Sequence, residues 1–506
     1  MDRRLHPGAY RTGARRVSSI GRNFLYNAAY QMLLIVLPRI TTPYSSRVLG
    51  AENVGIYTYT YTAAGYFLLF AMLGVKNYGN RSIAAARDNP ALLKTQFWEI
   101  WGLQLVCSAA ASGAYLVYVL CAVKENRIIA LLQGVQILAG MLDISWLFMG
   151  LENFRLTAGR SMIVRLVSLG LIFWLVRDAG DLWIYTLIMA GGMLVSQAWL
   201  WLSLKRSAQI PFHLPTWRGI GSHLRAELVL FVPVVAVSLY KMMDKLMLGA
   251  MSSYTQLGYY ENTDRILGIP LGLITALGTV MLPRMSHLAS RGETEKSREY
   301  IRGSIVFAMF FGVGLMFGIS GVAEDFVPLF LGEEFRPATA LLRVMAPTIL
   351  FIAWANVIRT QYLIPNHRDK SYIISVVLGA AVNIGLNLLL IPRMDALGAV
   401  IGTLCAEAAV CISQTVMVRR ELQIGLYLRQ TLPFLAAGAL MYLLIGRIGA
   451  WLAPAGAAAT VIGEILIGGT VYVLLAGGAY FVCSPQAARQ MIGYFKAGTK
   501  KGNRRT

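Results

Sequence analysis

Cysteine and histidine are scarce in this chain, and neither is arranged for chemistry. The five cysteines, Cys107, Cys121, Cys405, Cys411 and Cys483, are odd in number and scattered, so no disulfide framework follows. The five histidines, His6, His213, His223, His287 and His367, have no Cys or His partners at ligand spacing, so no metal is expected. Acidic residues are few as well: 25 Asp and Glu stand against 46 Lys and Arg, a formal net charge of +21. Such an excess suits nucleic acid in a soluble protein. Here the cations are spread over many short connections and no separate basic domain exists, so nucleic acid is not an expected partner. The first nineteen residues carry Arg3, Arg4, Arg11, Arg15 and Arg16 but no apolar core ending at a small-residue cleavage site, and they read as a basic tail.

Long apolar stretches are what the chain has instead. Crossing a hydrocarbon layer about 30 Å thick takes roughly 20 mostly apolar helical residues, and only internally closed hydrogen bonding survives there. Fourteen such spans are read, near 23–46, 53–75, 96–122, 128–149, 161–176, 182–204, 227–250, 257–283, 303–321, 337–363, 371–391, 396–418, 430–446 and 457–482. With both ends placed in the cytoplasm, 32 of the 46 Lys and Arg fall on inner connections and tails, 7 on outer connections and 7 within spans. That asymmetry is the positive-inside pattern. The fold class expected is therefore an all-α polytopic membrane protein. Its parts are a basic cytoplasmic tail at 1–19, a six-helix lobe at 20–204, a cytoplasmic linker at 205–226, a second six-helix lobe at 227–418, two further helices within 419–482 and a basic tail at 483–506. In the linker, Trp217, Ile220 and Leu224 suit either a short interfacial helix or an ordinary connection.

The halves share a faint repeat. Leu49-Gly50-Ala51 recurs as Leu248-Gly249-Ala250, each followed by Gly-x-Tyr at Gly55 to Tyr57 and Gly258 to Tyr260, and Gly55 to Arg81 spans the same 26 residues as Gly258 to Arg284. Six spans per repeat is an even number, so the halves would share orientation, with a cavity between them. Chance recurrence of common small residues is the alternative.

Charges inside spans carry the chemistry, because each costs a few kcal/mol near the bilayer centre unless it meets a partner or water. Lys241, Asp244 and Lys245 share one face of the seventh span, as do Glu261 and Arg265 of the eighth, with Asp264 adjacent. At 1.5 Å per residue both groups lie roughly 6 to 12 Å below the outer helix ends. Arg39 lies at similar depth between Pro38 and Pro43, whose rings free the carbonyls of Leu34 and Arg39 itself. With Arg47 and Arg343 the outer-half set becomes six cations against three acids, which suits an anion. The competing reading is that these groups pair with each other inside the bundle. Asp143, Arg165, Arg359, Glu407 and Glu464 are more solitary, and pairing or a polar lining role suits them as well as substrate contact does.

Three groups of residues then resemble a known family. Pro43-Tyr44-Ser45-Ser46-Arg47-Val48-Leu49-Gly50-Ala51, Gly55-Ile56-Tyr57 and Asn77-Tyr78-Gly79-Asn80-Arg81 look like the opening of bacterial polysaccharide repeat-unit flippases. Asp143-Ile144-Ser145-Trp146-Leu147-Phe148-Met149-Gly150-Leu151-Glu152 is similar to another of their motifs. Arg265, Pro270-Leu271-Gly272 and Gly278-Thr279-Val280-Met281-Leu282-Pro283-Arg284 resemble the eighth span of the related lipid II flippases, in which an arginine there is functional. The resemblance covers nearly the whole chain and implies the MOP exporter superfamily: two parallel six-helix repeats in MATE-like V-shaped lobes around a cationic cavity, plus two C-terminal helices. Arg39 does not align with the functional arginines of that branch, and its assignment rests on depth and the flanking prolines.

The implied activity is not enzymatic. It is translocation of an undecaprenyl-pyrophosphate-linked oligosaccharide from the inner to the outer leaflet of the bacterial cytoplasmic membrane, by alternating access. The expected partners are that lipid-linked glycan, the bilayer and other polysaccharide-assembly membrane proteins. Arg39, Arg47, Lys241, Lys245, Arg265 and Arg343 are the expected headgroup cations, while Asp244, Glu261 and Asp264 are candidates for coupling to a proton or sodium gradient. No cofactor is expected. Tyr57, Tyr59, Tyr61, Tyr259 and Tyr260 would offer faces to sugars or serve as interfacial anchors. A lipid II flippase and a multidrug exporter of the same superfamily are the alternatives, the latter expecting a net negative cavity. A polytopic glycan polymerase or glycosyltransferase would need a sizeable outer loop or an Asp-x-Asp site, and the longest outer loop, 322–336, is short.

Overall fold

The structure is a computed structural model that describes residues 12–207 and 210–483, with side chains left undescribed at 12–31, 34–35, 205–207, 230, 232–234, 236–237, 239–241 and 483. Among the described residues every regular element is a helix. The chain divides into two compact units, Met1–Leu246 and Met247–Thr506. The first holds α1 (Thr12–Met72), α2 (Val75–Ala86), α3 (Pro90–Cys121), α4 (Arg127–Met141), α5 (Ser145–Gly150), α6 (Phe154–Leu175), α7 (Leu182–Ser207) and most of α8 (Trp217–Met251). The second holds α9 (Tyr254–Ser290), α10 (Thr294–Leu331), α11 (Ala338–Met345), α12 (Thr348–Ile358), α13 (Asp369–Val418), α14 (Ile424–Leu452) and α15 (Ala457–Cys483), with a π-helical turn at Arg359–Leu363.

Eleven helical segments are long and apolar enough to cross a membrane. Two of them, Val36–Ala86 and Asp369–Val418, run for 51 and 50 residues, over twice the length one crossing needs. The first is broken at Gly50 (φ 77°) inside α1 and again at Leu73-Gly74 between α1 and α2, and the second at Asp395 (φ 51°) inside α13. Eleven thus counts continuous segments rather than crossings. Local sequence sets several starts. The Asn89 side chain accepts from the N–H groups of Ala91 and Leu92, and Pro90 occupies the first helical position, where a missing N–H costs nothing. Ser253 likewise caps α9 by accepting from Gln256 N–H.

The recurrent Leu-Gly-Ala takes two conformations: Gly50 adopts the left-handed region, whereas Gly249 lies inside α8 and the chain turns at Ser252-Ser253. Two expectations are refined. Residues 12–19, read as tail, open α1. Trp217, Ile220 and Leu224 form the first turns of α8 itself rather than a separate interfacial helix.

The span read at 128–149 is interrupted, α4 ending at Met141 and α5 starting at Ser145. Helix breaks expose carbonyls that the membrane interior cannot satisfy. Here α3 and α7 supply the donors. Gln104 Nε2 donates to the Gly140 carbonyl at 2.6 Å and the Asp143 carbonyl at 3.0 Å, Trp101 donates to Met141 and Trp201 to Leu142. The Gln104 amide oxygen accepts from the Trp146 indole at 3.1 Å.

Two of the motifs that carried the family resemblance meet at this break. Trp146 of α5 is fully buried against Gly79 of α2, where an added Cβ would lie 2.5 Å from the indole ring. Lys76 pairs with Asp143 at 3.4 Å, and Gly150 packs on Ile83. Around them Phe97, Trp98, Ile144, Leu147 and Phe148 form one buried apolar cluster of the first unit. In the second unit, Gly398 and Gly402 let the halves of α13 pack face to face. A Cβ at Gly398 would sit 2.5 Å from the Leu390 carbonyl carbon, and one at Gly402 2.1 Å from the Asn387 side chain. This is the close small-x-x-x-small approach of membrane helices.

Trp146→Ala is expected to destabilise the purified protein by about 3–5 kcal/mol, from the cavity and the orphaned Gln104 oxygen. Gly398→Val should lower thermal stability more than Gly385→Val, because Leu390 backbone cannot rotate away whereas Gly385 faces open space. Thermal unfolding of the variants in detergent checks both.

Candidate functional site

Eight residues beyond its Ser253 cap, α9 presents a run of polar groups inside an apolar helix: Glu261, Asn262, Thr263, Asp264 and Arg265. Glu261 and Arg265 lie one turn apart, and Arg265 Nε donates to Glu261 Oε1 at 2.7 Å. The carboxylate side chain is 9% exposed and the guanidinium 30%, so the cation is the member that reaches the surface of its unit. Asn262 and Thr263 are buried, Thr263 donating to the Tyr259 carbonyl at 2.8 Å. Pro270 follows, leaving the Ile266 carbonyl without its usual partner. The pairing foreseen at helical spacing is therefore present, oriented with its acid inward.

In the first unit, Arg39 is half-buried between Pro38 and Pro43 of α1, and Arg47 is exposed three residues before the break at Gly50. On α8 Asp244 is buried and Lys245 half-buried, and the Lys241 side chain lies outside the described residues. Arg39, Arg47, Asp244, Lys245 and, in the second unit, Asp264 all have polar or ionic interactions. Arg343 belongs to a different setting. Its Nε donates to the Ser320 carbonyl and its guanidinium pairs at 3.2 Å with Glu324, which also meets Arg336 at 3.5 Å. Its charge is matched at the α10–α11 junction.

Three of the more solitary charges have structural partners. Asp143 pairs with Lys76 and accepts from the Ser145 N–H. Arg359 donates to Asn356 at 2.7 Å and lies over the Tyr372 ring. Glu464 is buried against Gly449. Two of the tyrosines expected to face sugars are packed inside their units: Tyr57 against Tyr61 and Tyr185, Tyr260 against Thr403.

One constellation was not foreseen. His223 of α8 contacts Tyr78 of α2 through Nδ1 at 2.7 Å and Glu99 of α3 through Nε2 at 3.2 Å. These partners stand 145 and 124 residues away, so no local spacing could reveal them. One turn further along α8 is Glu227, fully buried. Its place at the edge of an apolar stretch gives it the look of an ordinary boundary residue in the sequence.

Residues 20–289 match a family model described as polysaccharide biosynthesis protein, and residues 155–468 one described as lipid II flippase MurJ. A putative O-antigen transporter of Escherichia coli is 23% identical over 405 residues, 80% of this chain and 97% of that protein. A probable low-salt glycan biosynthesis flippase of Haloferax volcanii, Agl15, is 25% identical over 250 residues, 49% of this chain and 51% of that protein. Among solved structures, a lipid II flippase MurJ in an inward closed conformation has a TM-score of 0.71 at 14% identity, covering 90% of this chain and 99% of that one. An inward-facing MATE multidrug transporter of the MOP superfamily scores 0.57 at 14% identity, covering 79% and 98%. The two structures carry the fold and the two family models carry the kinship. The chain is a multi-pass membrane protein that belongs to the polysaccharide biosynthesis protein family, in the MOP superfamily and related to the lipid II flippases.

Proposed function

We propose that this protein is a flippase that moves an undecaprenyl-pyrophosphate-linked oligosaccharide from the inner to the outer leaflet of the bacterial cytoplasmic membrane, with both chain ends in the cytoplasm. The observation that carries the reading is the Glu261–Arg265 pair. An arginine on an apolar membrane helix is costly to keep, and here a buried carboxylate orients it so that the cation is presented. A planar guanidinium suits the oxygens of a diphosphate, which it can meet with two hydrogen bonds at once. The relatives named as an O-antigen transporter and a glycan flippase support the substrate class.

In this mechanism the cations Arg39, Arg47, Lys241, Lys245 and Arg265 replace water around the diphosphate, while the prenyl tail stays in lipid and alternating access carries the headgroup across. Arg343, matched by Glu324, contributes to the outer charge pattern. Gradient coupling needs a carboxyl group whose protonation or cation binding changes between states, and Asp244, Glu261 and Asp264 are candidates. Lipid II is a second reading, favoured by the lipid II flippase model that covers α9; its headgroup carries the same diphosphate.

In a strain lacking its own repeat-unit flippase, the wild-type chain should restore surface polysaccharide. Arg265→Ala and Lys245→Ala should each lower it about tenfold or more while the protein remains in the membrane, the loss expected for a charge-assisted contact. Glu261→Gln should produce a smaller loss, since it removes the orienting charge and keeps the cation. Wild-type polysaccharide from both alanine variants would overturn the assignment. Rescue of a strain lacking its lipid II flippase, without rescue of the polysaccharide strain, would shift the substrate to lipid II.

A further inference from the structure

Glu227 is the most unusual charged group in the first unit. It is 0% exposed, and among the described residues neither carboxylate oxygen has a hydrogen-bond partner. It sits in the seam between α8 and α3, where the two helices run closely. An added Cβ at Gly219 would collide with the Glu99 carboxylate, and Ile220 packs within 3.1 Å of where a Gly102 Cβ would be. The titratable groups around it are Cys107 and Glu99 on α3, His223 one turn earlier on α8, and Tyr78 of α2 through His223. Arg218 and Arg225 of the same turns of α8 are exposed.

A carboxylate anion without hydrogen bonds is poorly tolerated in such a seam, and a bound proton removes its charge. His223 and Glu99 offer a way in. Their side chains are 9% and 15% exposed, and His223 and Glu227 share one helical face about 6 Å apart along the axis. We propose that Glu227 is a proton-binding site that couples transport to the pH of the water at Glu99, loading and unloading through the His223–Glu99 pair. On uptake an O–H bond forms on Glu227 as a proton leaves that water by way of His223, and on release the same bond breaks and the proton returns to that water. In the protonated form the neutral carboxyl stays in the seam and α8 stays seated on α3. Release leaves an anion that must be hydrated, which loosens the seam at the base of the helix in which the two units divide.

The coupling part rests on the transport reading above; the proton site does not, and the test separates them. The full-length protein in lipid nanodiscs is titrated by infrared difference spectroscopy, wild type against E227Q, an isosteric neutral replacement. The expected result is a protonated-carboxyl C=O band in the wild type that fades on alkalinisation and is missing from E227Q. Identical spectra would overturn the proton site. In the polysaccharide strain, E227Q should reach the membrane at wild-type level yet export at least tenfold less. Wild-type export with unchanged sensitivity to a protonophore would overturn the coupling role. If the wild-type chain restores no polysaccharide, the substrate reading fails while the infrared band still decides the proton site.

Discussion

A polypeptide in hydrocarbon has to close its own backbone hydrogen bonds, and most of what is specific in this structure answers that constraint. Where α4 stops at Met141, four consecutive carbonyls from Gly140 to Asp143 face donors brought by Trp101, Gln104 and Trp201. Gln104 is buried for that purpose, and its remaining oxygen is taken by Trp146, which in turn rests on Gly79. One glutamine thus joins the interruption of a helix to the packing of α2, α3 and α5. The same constraint accounts for the sidedness of the Glu261–Arg265 pair: the acid is inside the protein, and the cation keeps access to the surface.

Much of the fold was legible because its signal is additive over long windows. Apolar stretches of helical length and the bias of Lys and Arg between alternate connections need no single residue to be right. The break at Gly50 was legible too, since glycine is the residue that reaches φ 77° without steric cost. The interruption at Leu142-Asp143-Ile144 was not, because the donor that satisfies its carbonyls sits 36 to 39 residues earlier in α3. Leu248-Gly249-Ala250 matches Leu49-Gly50-Ala51 in sequence but not in conformation, since α8 continues through it.

The candidate site divides along similar lines. Glu261 with Arg265 could be read at i, i+4, because helical geometry converts that spacing directly into contact. Arg343 could not be placed, since its match, Glu324, lies on the preceding helix and looked like part of an outer loop. His223 was weighed only against metal-ligand spacing, whereas its partners are a tyrosine and a glutamate on two other helices. Tyrosine content near span ends said little about orientation, and Tyr57 and Tyr260 turn inward.

The joint formed by Gly79 and Trp146, with Lys76 and Asp143 beside it, changes what the shared motifs mean. Residues that make this chain recognisable among its relatives are engaged in holding three helices together rather than in gripping cargo. Attempts to graft a new glycan preference onto this scaffold are best directed away from these signature positions, however prominent they are to the eye.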